Sequence, residues 1–115
     1  MRAMLVVTVL AVSIVAAARP TAAADVRMYV HHEVNDYAAW RKVYNAFDAK
    51  RKTMGVIGQA VYQSIDNPND VTVTHDFRNA KTAKAFAGSE ELKGAMEKAG
   101  VKGTPQIWLT TRSTR

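Results

Sequence analysis

Along residues 71–78 apolar and polar positions alternate strictly. Val71, Val73, His75 and Phe77 interleave with Thr72, Thr74, Asp76 and Arg78. A period of two marks a strand with one buried face, and here the apolar stripe includes a histidine. Val26, Met28, Val30 and His32 repeat the arrangement over a first strand at Arg27 to Glu33. Two apolar stripes that each carry an imidazole predict a greasy pocket with a titratable rim. Between them the period changes. Tyr37, Trp40, Tyr44, Phe47 and Met54 recur at steps of three, four or seven, the spacing of one helical face, while Arg41, Lys42, Asp48 and Arg51 fall largely elsewhere. Asn35 or Asp36 can cap this helix, and Gly55 supplies a left-handed stop.

A second strand is expected near Ile57 to Ile65. The run Asp66-Asn67-Pro68-Asn69-Asp70 then turns the chain into strand three as a hairpin. Asn79 can cap a helical stretch with Ala83, Phe86 and Ala87 on one face, which Gly88-Ser89 interrupts. Ser89 caps a further helix with acidic residues Glu90 and Glu91 in its first turn and an apolar stripe of Leu92, Met96 and Ala99. Strand four is expected at Gln106 to Thr111, with Pro105 at its start.

The order is βαββαβ, an α+β ferredoxin-like arrangement with a four-stranded antiparallel sheet and helices on one face. Strand three is expected to run parallel beside strand one. The inward set of strand two stays open between Ala60 with Tyr62 and Val61 with Ile65. The second face of the sheet, with Thr72, Thr74 and Asp76, is semi-polar, suited to water or to a second copy across a two-fold axis.

Residues 1–24 read as a removable export signal. Arg2 forms a positive start, Leu5 to Ala18 has only Thr8 and Ser13 as polar positions, and Ala22-Ala23-Ala24 offers the small residues of a cleavage site. The apolar run falls short of the ~20 residues of a usual spanning helix. Cleavage after Ala24 leaves residues 25–115 as one exported domain (periplasmic or secreted), with no membrane segment. The whole chain carries a net charge of +6. Arg2 and Arg19 lie in the signal, so the mature domain keeps 14 basic against 10 acidic residues. Lys50, Arg51 and Lys52 form the one dense basic run, read as a solvated helix end. A basic stripe interleaved with aromatics, as nucleic acid would require, is missing. There is no cysteine, which excludes disulfides and thiolate metal sites.

Several short motifs resemble one family. His32-Glu33-Val34-Asn35-Asp36-Tyr37-Ala38-Ala39-Trp40 is similar to an H-x-V-x-D-Y-x-x-W opening, and Asp66 to Val71 to a D-x-P-N-x-V hairpin. With Lys81 to Phe86 and Ala99-Gly100-Val101 before Pro105, these resemble small proteins of the dimeric α+β-barrel superfamily, of the antibiotic-biosynthesis-monooxygenase-like group. The resemblance implies a homodimer whose sheets pair into a barrel, and a pocket between each sheet and its own helices. It also implies a choice among cofactor-free oxygenases of phenols, polyketide cyclases, haem-degrading enzymes and members without assigned activity. Haem-degrading relatives use an Asn on strand one, a Trp near strand three and a His on a later helix. Strand one here has no Asn, Phe77 stands in the strand-three region and no His follows His75, which argues against that route.

His32 and His75 are the candidate catalytic pair, a base and its partner. A neutral imidazole in an apolar site can take a proton from a phenol or enol near neutral pH. His32 could instead bond a backbone group at the helix start, and both could simply rim the core. His31 points away from His32 by alternation. Trp40, Tyr44, Tyr62, Phe77 and Phe86 are the candidate ligand contacts, with core packing as the plain alternative for the helical aromatics. No phosphate loop, nucleophile elbow or carboxylate pair is visible, and neither metal nor cofactor is expected in the site. The expected function is binding or transformation of a small aromatic or polyketide-like molecule, as an oxygenase or cyclase. A non-catalytic ligand-binding or structural dimer, and a haem or metal carrier of the cell envelope, are the alternatives.

Overall fold

The computed structural model describes residues 25–113; the export signal expected at residues 1–24 lies outside them. Four strands, β1 (Val26–Val34), β2 (Gly58–Gln63), β3 (Asp70–Phe77) and β4 (Val101–Thr111), form one sheet in the order β2-β3-β1-β4. Every neighbouring pair is antiparallel, β1 with β3 included. The parallel pairing expected for β1 and β3 is thereby corrected. The helical crossover brings β2 back in the direction of β1, and the tight Asp66–Asp70 turn then reverses β3, so β3 must oppose β1.

Both helical crossovers are split in two. The first contains α1 (Tyr37–Ala46) and α2 (Asp48–Thr53), separated at Phe47; the second contains α3 (Ala80–Ala87) and α4 (Glu90–Lys98). Three caps follow from sequence chemistry: Asp36, Asn79 and Ser89 have extended backbones and accept the amides of Ala39, Thr82 and Leu92. Asp36 rather than Asn35 caps α1. Asn69 of the hairpin turn accepts the Tyr37 amide at 2.9 Å, tying that turn to the start of α1. Gly55 ends α2 at φ +99°, and a Cβ there would stand 2.3 Å from the Thr82 methyl, so glycine is required by both conformation and space.

The core lies between the helices and one sheet face, with Met28, Val71, Phe77, Ala83 and Phe86 fully enclosed. Register settles the open parity of β2: Val61 pairs with Val73 and faces the helices, whereas Ala60 and Tyr62 pair with Thr74 and Thr72 on the far side. β4 starts five residues earlier than the pattern predicts. Its ladder with β1 slips, two steps on β1 (His31 to Glu33) facing four on β4 (Gln106 to Lys102). Gly103, at φ +65°, and Pro105 fall within that irregular stretch, opposite His32. A residue without an N–H is tolerated there because no ladder bond is lost.

Candidate functional site

The same alternation that builds the core places both central histidines beneath the helices. His32 and His75 are 6% and 4% exposed, and both line one cavity between sheet and helices. Val30 and Val73, paired directly across β1 and β3, form its floor between the two rings. His32 pairs with Val71 and His75 with Met28, so the two lie four residues apart along neighbouring strands, about 13 Å in backbone terms. They therefore mark two regions of one cavity and are not cross-strand neighbours.

α1 supplies the wall. Trp40 stacks on Tyr44 with ring centroids 4.9 Å apart and leans on His32 at 5.7 Å. Leu92 and Met96 of α4 close the other side. The cavity measures about 40 Å³, room for a few water-sized groups, so a larger molecule enters only if the side chains of α1 and α4 around it move apart.

Arg51 is the residue that sequence reasoning missed. Read as part of a solvated basic run, it is instead 2% exposed and lines the cavity. Its Nε donates to Gln59 Oε1 at 2.9 Å, one terminal nitrogen to the Tyr44 carbonyl at 2.6 Å, and the other to Asp48 Oδ1 at 3.3 Å. The guanidinium carbon stands 3.8 Å from the centre of the Tyr44 ring. A signal for it existed: the aromatic stripe jumps seven residues from Phe47 to Met54, and Arg51 fills the vacant step.

The expected site residues separate accordingly. His32, His75, Trp40 and Tyr44 line the cavity. Tyr62 does not, being 57% exposed on the opposite face, where its pairing with Thr72 puts it. Phe77 and Phe86 are fully buried in the core and do not line the cavity; Phe86 of α3 meets His75 at 5.2 Å and Phe77 at 5.5 Å. His31 faces away from the cavity, as alternation requires. Its ring bonds Gln106 at 3.1 Å and Asp70 at 2.5 Å.

Four ring nitrogens, both of His32 and both of His75, are buried without a hydrogen-bond partner, and so is the Tyr44 hydroxyl. The backbone bond considered for His32 is therefore not formed. Buried polar groups are rarely left this way, and five around one cavity call for something polar to occupy it. Burial lowers His32 to about 4, with the nearby His31 acting in the same direction. Burial likewise lowers His75 to about 4, with the Arg51 charge next in importance. Both rings are neutral at pH 7, each offering one N–H and one lone pair. Burial raises the Tyr44 hydroxyl. Among the described residues no three His, Asp or Glu side chains stand close enough to hold a metal ion.

No family model matches this chain, and no curated protein matches it in sequence. Solved structures match its fold. SnoaB, a cofactor-independent oxygenase from Streptomyces nogalater, has a TM-score of 0.63 at 14% identity, over 80% of this chain and 97% of its own. NE2512, a protein of unknown function from Nitrosomonas europaea, gives 0.64 at 14% identity, over 79% and 91%. A structure described as an antibiotic biosynthesis monooxygenase gives 0.60 at 8% identity, over 76% and 98%. The chain thus has the ferredoxin-like α+β fold of these proteins, at identities that speak for fold alone.

The neutral histidines have a consequence for stability. Between pH 6.5 and about 4 the unfolded chain binds protons that folded His32 and His75 refuse. Their contribution is complete above the unfolded value and is lost as pH falls toward 4, at about 3 kcal/mol per ring. His31, raised by its bonds to Gln106 and Asp70, acts in the opposite sense: its contribution is present below 6.5 and lost as pH rises through its folded value. Thermal unfolding is expected at a markedly lower Tm at about pH 5 than at about pH 7.5. The difference should shrink in the double variant His32→Leu/His75→Leu. An undiminished difference would assign the acid sensitivity to other groups.

Proposed function

We propose that this protein is an exported homodimer whose cavity binds a small aromatic or polyketide-like molecule and acts on it as a cofactor-free oxygenase or cyclase. The observation that carries this reading is the set of unpartnered polar atoms of His32, His75 and Tyr44 around a hollow whose remaining lining, Arg51 apart, is apolar. With the side chains of α1 and α4 moved apart to admit it, a flat ring system would stack against Trp40 and Tyr44, and its oxygen functions would satisfy the imidazoles. The cofactor-independent oxygenase SnoaB, with the same fold, makes oxygen chemistry on such a ligand the first activity to test.

In this reading His32 takes a proton from a phenol, enol or activated methylene, leaving an electron-rich anion held against Trp40. A ring that titrates near 4 is a weak base when alone. The imidazolium it becomes is stabilised by the substrate anion formed beside it, which offsets part of the cost of burying charge. Dioxygen is then the oxidant: one oxygen atom enters the product and the other leaves as water with two substrate hydrogens. A cyclase would use the same deprotonation to form a carbon nucleophile.

The open sheet face supports the dimer. Trp108 is 45% exposed and stacks on Tyr29 at 5.2 Å, with Tyr62 exposed on the same face. Thr74, also on this face, is nonetheless buried. Around these aromatics Arg27 pairs with Asp76 at 2.7 Å and His31 with Asp70, a preformed polar frame suited to pairing with its copy.

Three measurements test these statements. With phenolic or enolisable polycyclic substrates, oxygen uptake is expected in the wild type, and His32→Ala should lower turnover about a hundredfold or more. Unchanged turnover in a folded variant removes the role of His32. Sedimentation is expected to show two copies, and Trp108→Glu to yield folded monomers; a wild-type monomer refutes the dimer. Sequencing of exported protein should begin at Asp25, and a start at Met1 overturns signal removal.

A further inference from the structure

We propose that the cavity selects aromatic molecules bearing a carboxylate, and that Arg51 is the residue that recognises it. This rests on reading the cavity as a ligand site and adds the chemical class of ligand.

The first ground is charge. No Asp or Glu lines the cavity, whereas Arg51 does. A guanidinium has five N–H donors; three are taken by Gln59, Tyr44 and Asp48, which leaves two, one on each terminal nitrogen. The one carboxylate on it is shared. Asp48 also accepts from Gln59 Nε2 at 2.9 Å and pairs with Lys52 at 3.1 Å, and its side chain is partly exposed. Arg51 therefore holds a positive charge in a dry site with a counter-charge divided among three donors. A neutral ligand would leave that imbalance in place, and a carboxylate would relieve it with charge-assisted bonds.

The second ground is polarity along the cavity. Gln59, which holds Arg51, stands directly across the β2–β3 ladder from His75. Arg51 and His75 thus share one region, while His32 lies with Trp40 in the other. The unpartnered His75 ring can donate to an anion bound at Arg51, and His32 then faces the remainder of the ring system. One ligand is held by its acid group and presented by its opposite edge.

The third ground is the approach. A groove between α1 and α4 shares Val43, Phe47 and Ala95 with the cavity, and carries Lys50 and Lys98 against the single acid Glu91. Two like charges in this adjoining groove favour arrival of anions.

Calorimetric titration of the protein with 2-naphthoate and with its neutral isostere 2-naphthamide, at about pH 7.5, tests the proposal. The carboxylate is expected to bind about tenfold tighter or better. That preference should vanish in Arg51→Met, checked for folding by circular dichroism. If Arg51→Met does not fold, the wild-type pair alone decides. Equal binding of the two probes to the wild type overturns the recognition of charge while leaving the ligand site standing, as does a preference that persists in folded Arg51→Met. Binding of neither overturns the ligand site and the recognition together.

Discussion

Arg51 carries a full charge where water is largely excluded, and the elements around it are arranged so that this charge is tolerated. It accepts no compromise in geometry: its planar fork donates to the carbonyl near the end of α1, to the first residue of α2 and to the inward face of β2. One side chain thus fixes the angle between two short helices and their seat on an edge strand. Breaking such a set leaves an uncompensated buried ion, which costs several kcal/mol, so the arrangement behaves as a unit. Tyr44 lies on the guanidinium, Trp40 on Tyr44, and His32 against Trp40, so the constraint runs from the charge to the far imidazole through stacked rings.

The cavity is the complement of that scaffold. It lies between α1 and α4 above the paired Val30 and Val73 of the sheet. The rings on that floor lack partners because the sheet face supplies none. Val30, Val34 and Val71 flank His32, Gln59 across from His75 is engaged by Arg51 and Asp48, and the irregular stretch of β4 lies across from His32. A purely structural core would fill these two positions with leucine or valine at lower cost. Two neutral imidazoles kept there need partners, which water or the polar atoms of the proposed ligand would supply.

The two sheet faces divide the work. The helix-covered face holds the cavity and its two buried imidazoles. The other presents a stacked Tyr29–Trp108 pair inside a frame of paired charges. Solved structures of the same fold include an oxygenase and a protein of unknown function, so the shared backbone assigns no activity by itself.

Much of this was legible in the sequence. Period-two stripes on β1 and β3 assigned Val26 to His32 and Val71 to Phe77 to one face, and cap residues marked three helix starts, because both signals are local and depend on neighbours a few residues away. What the chain pattern left undecided required contacts between distant segments. The parity of β2, and with it the removal of Tyr62 from the cavity, came from its ladder with β3. The direction of β3 against β1 came from the hairpin reversal. The burial of Arg51 came from Gln59 and the end of α1 meeting it in space, since a basic run reads as solvated until acceptors from other elements surround it. Periodicity determines which face a residue takes; only packing determines what waits on that face to receive it.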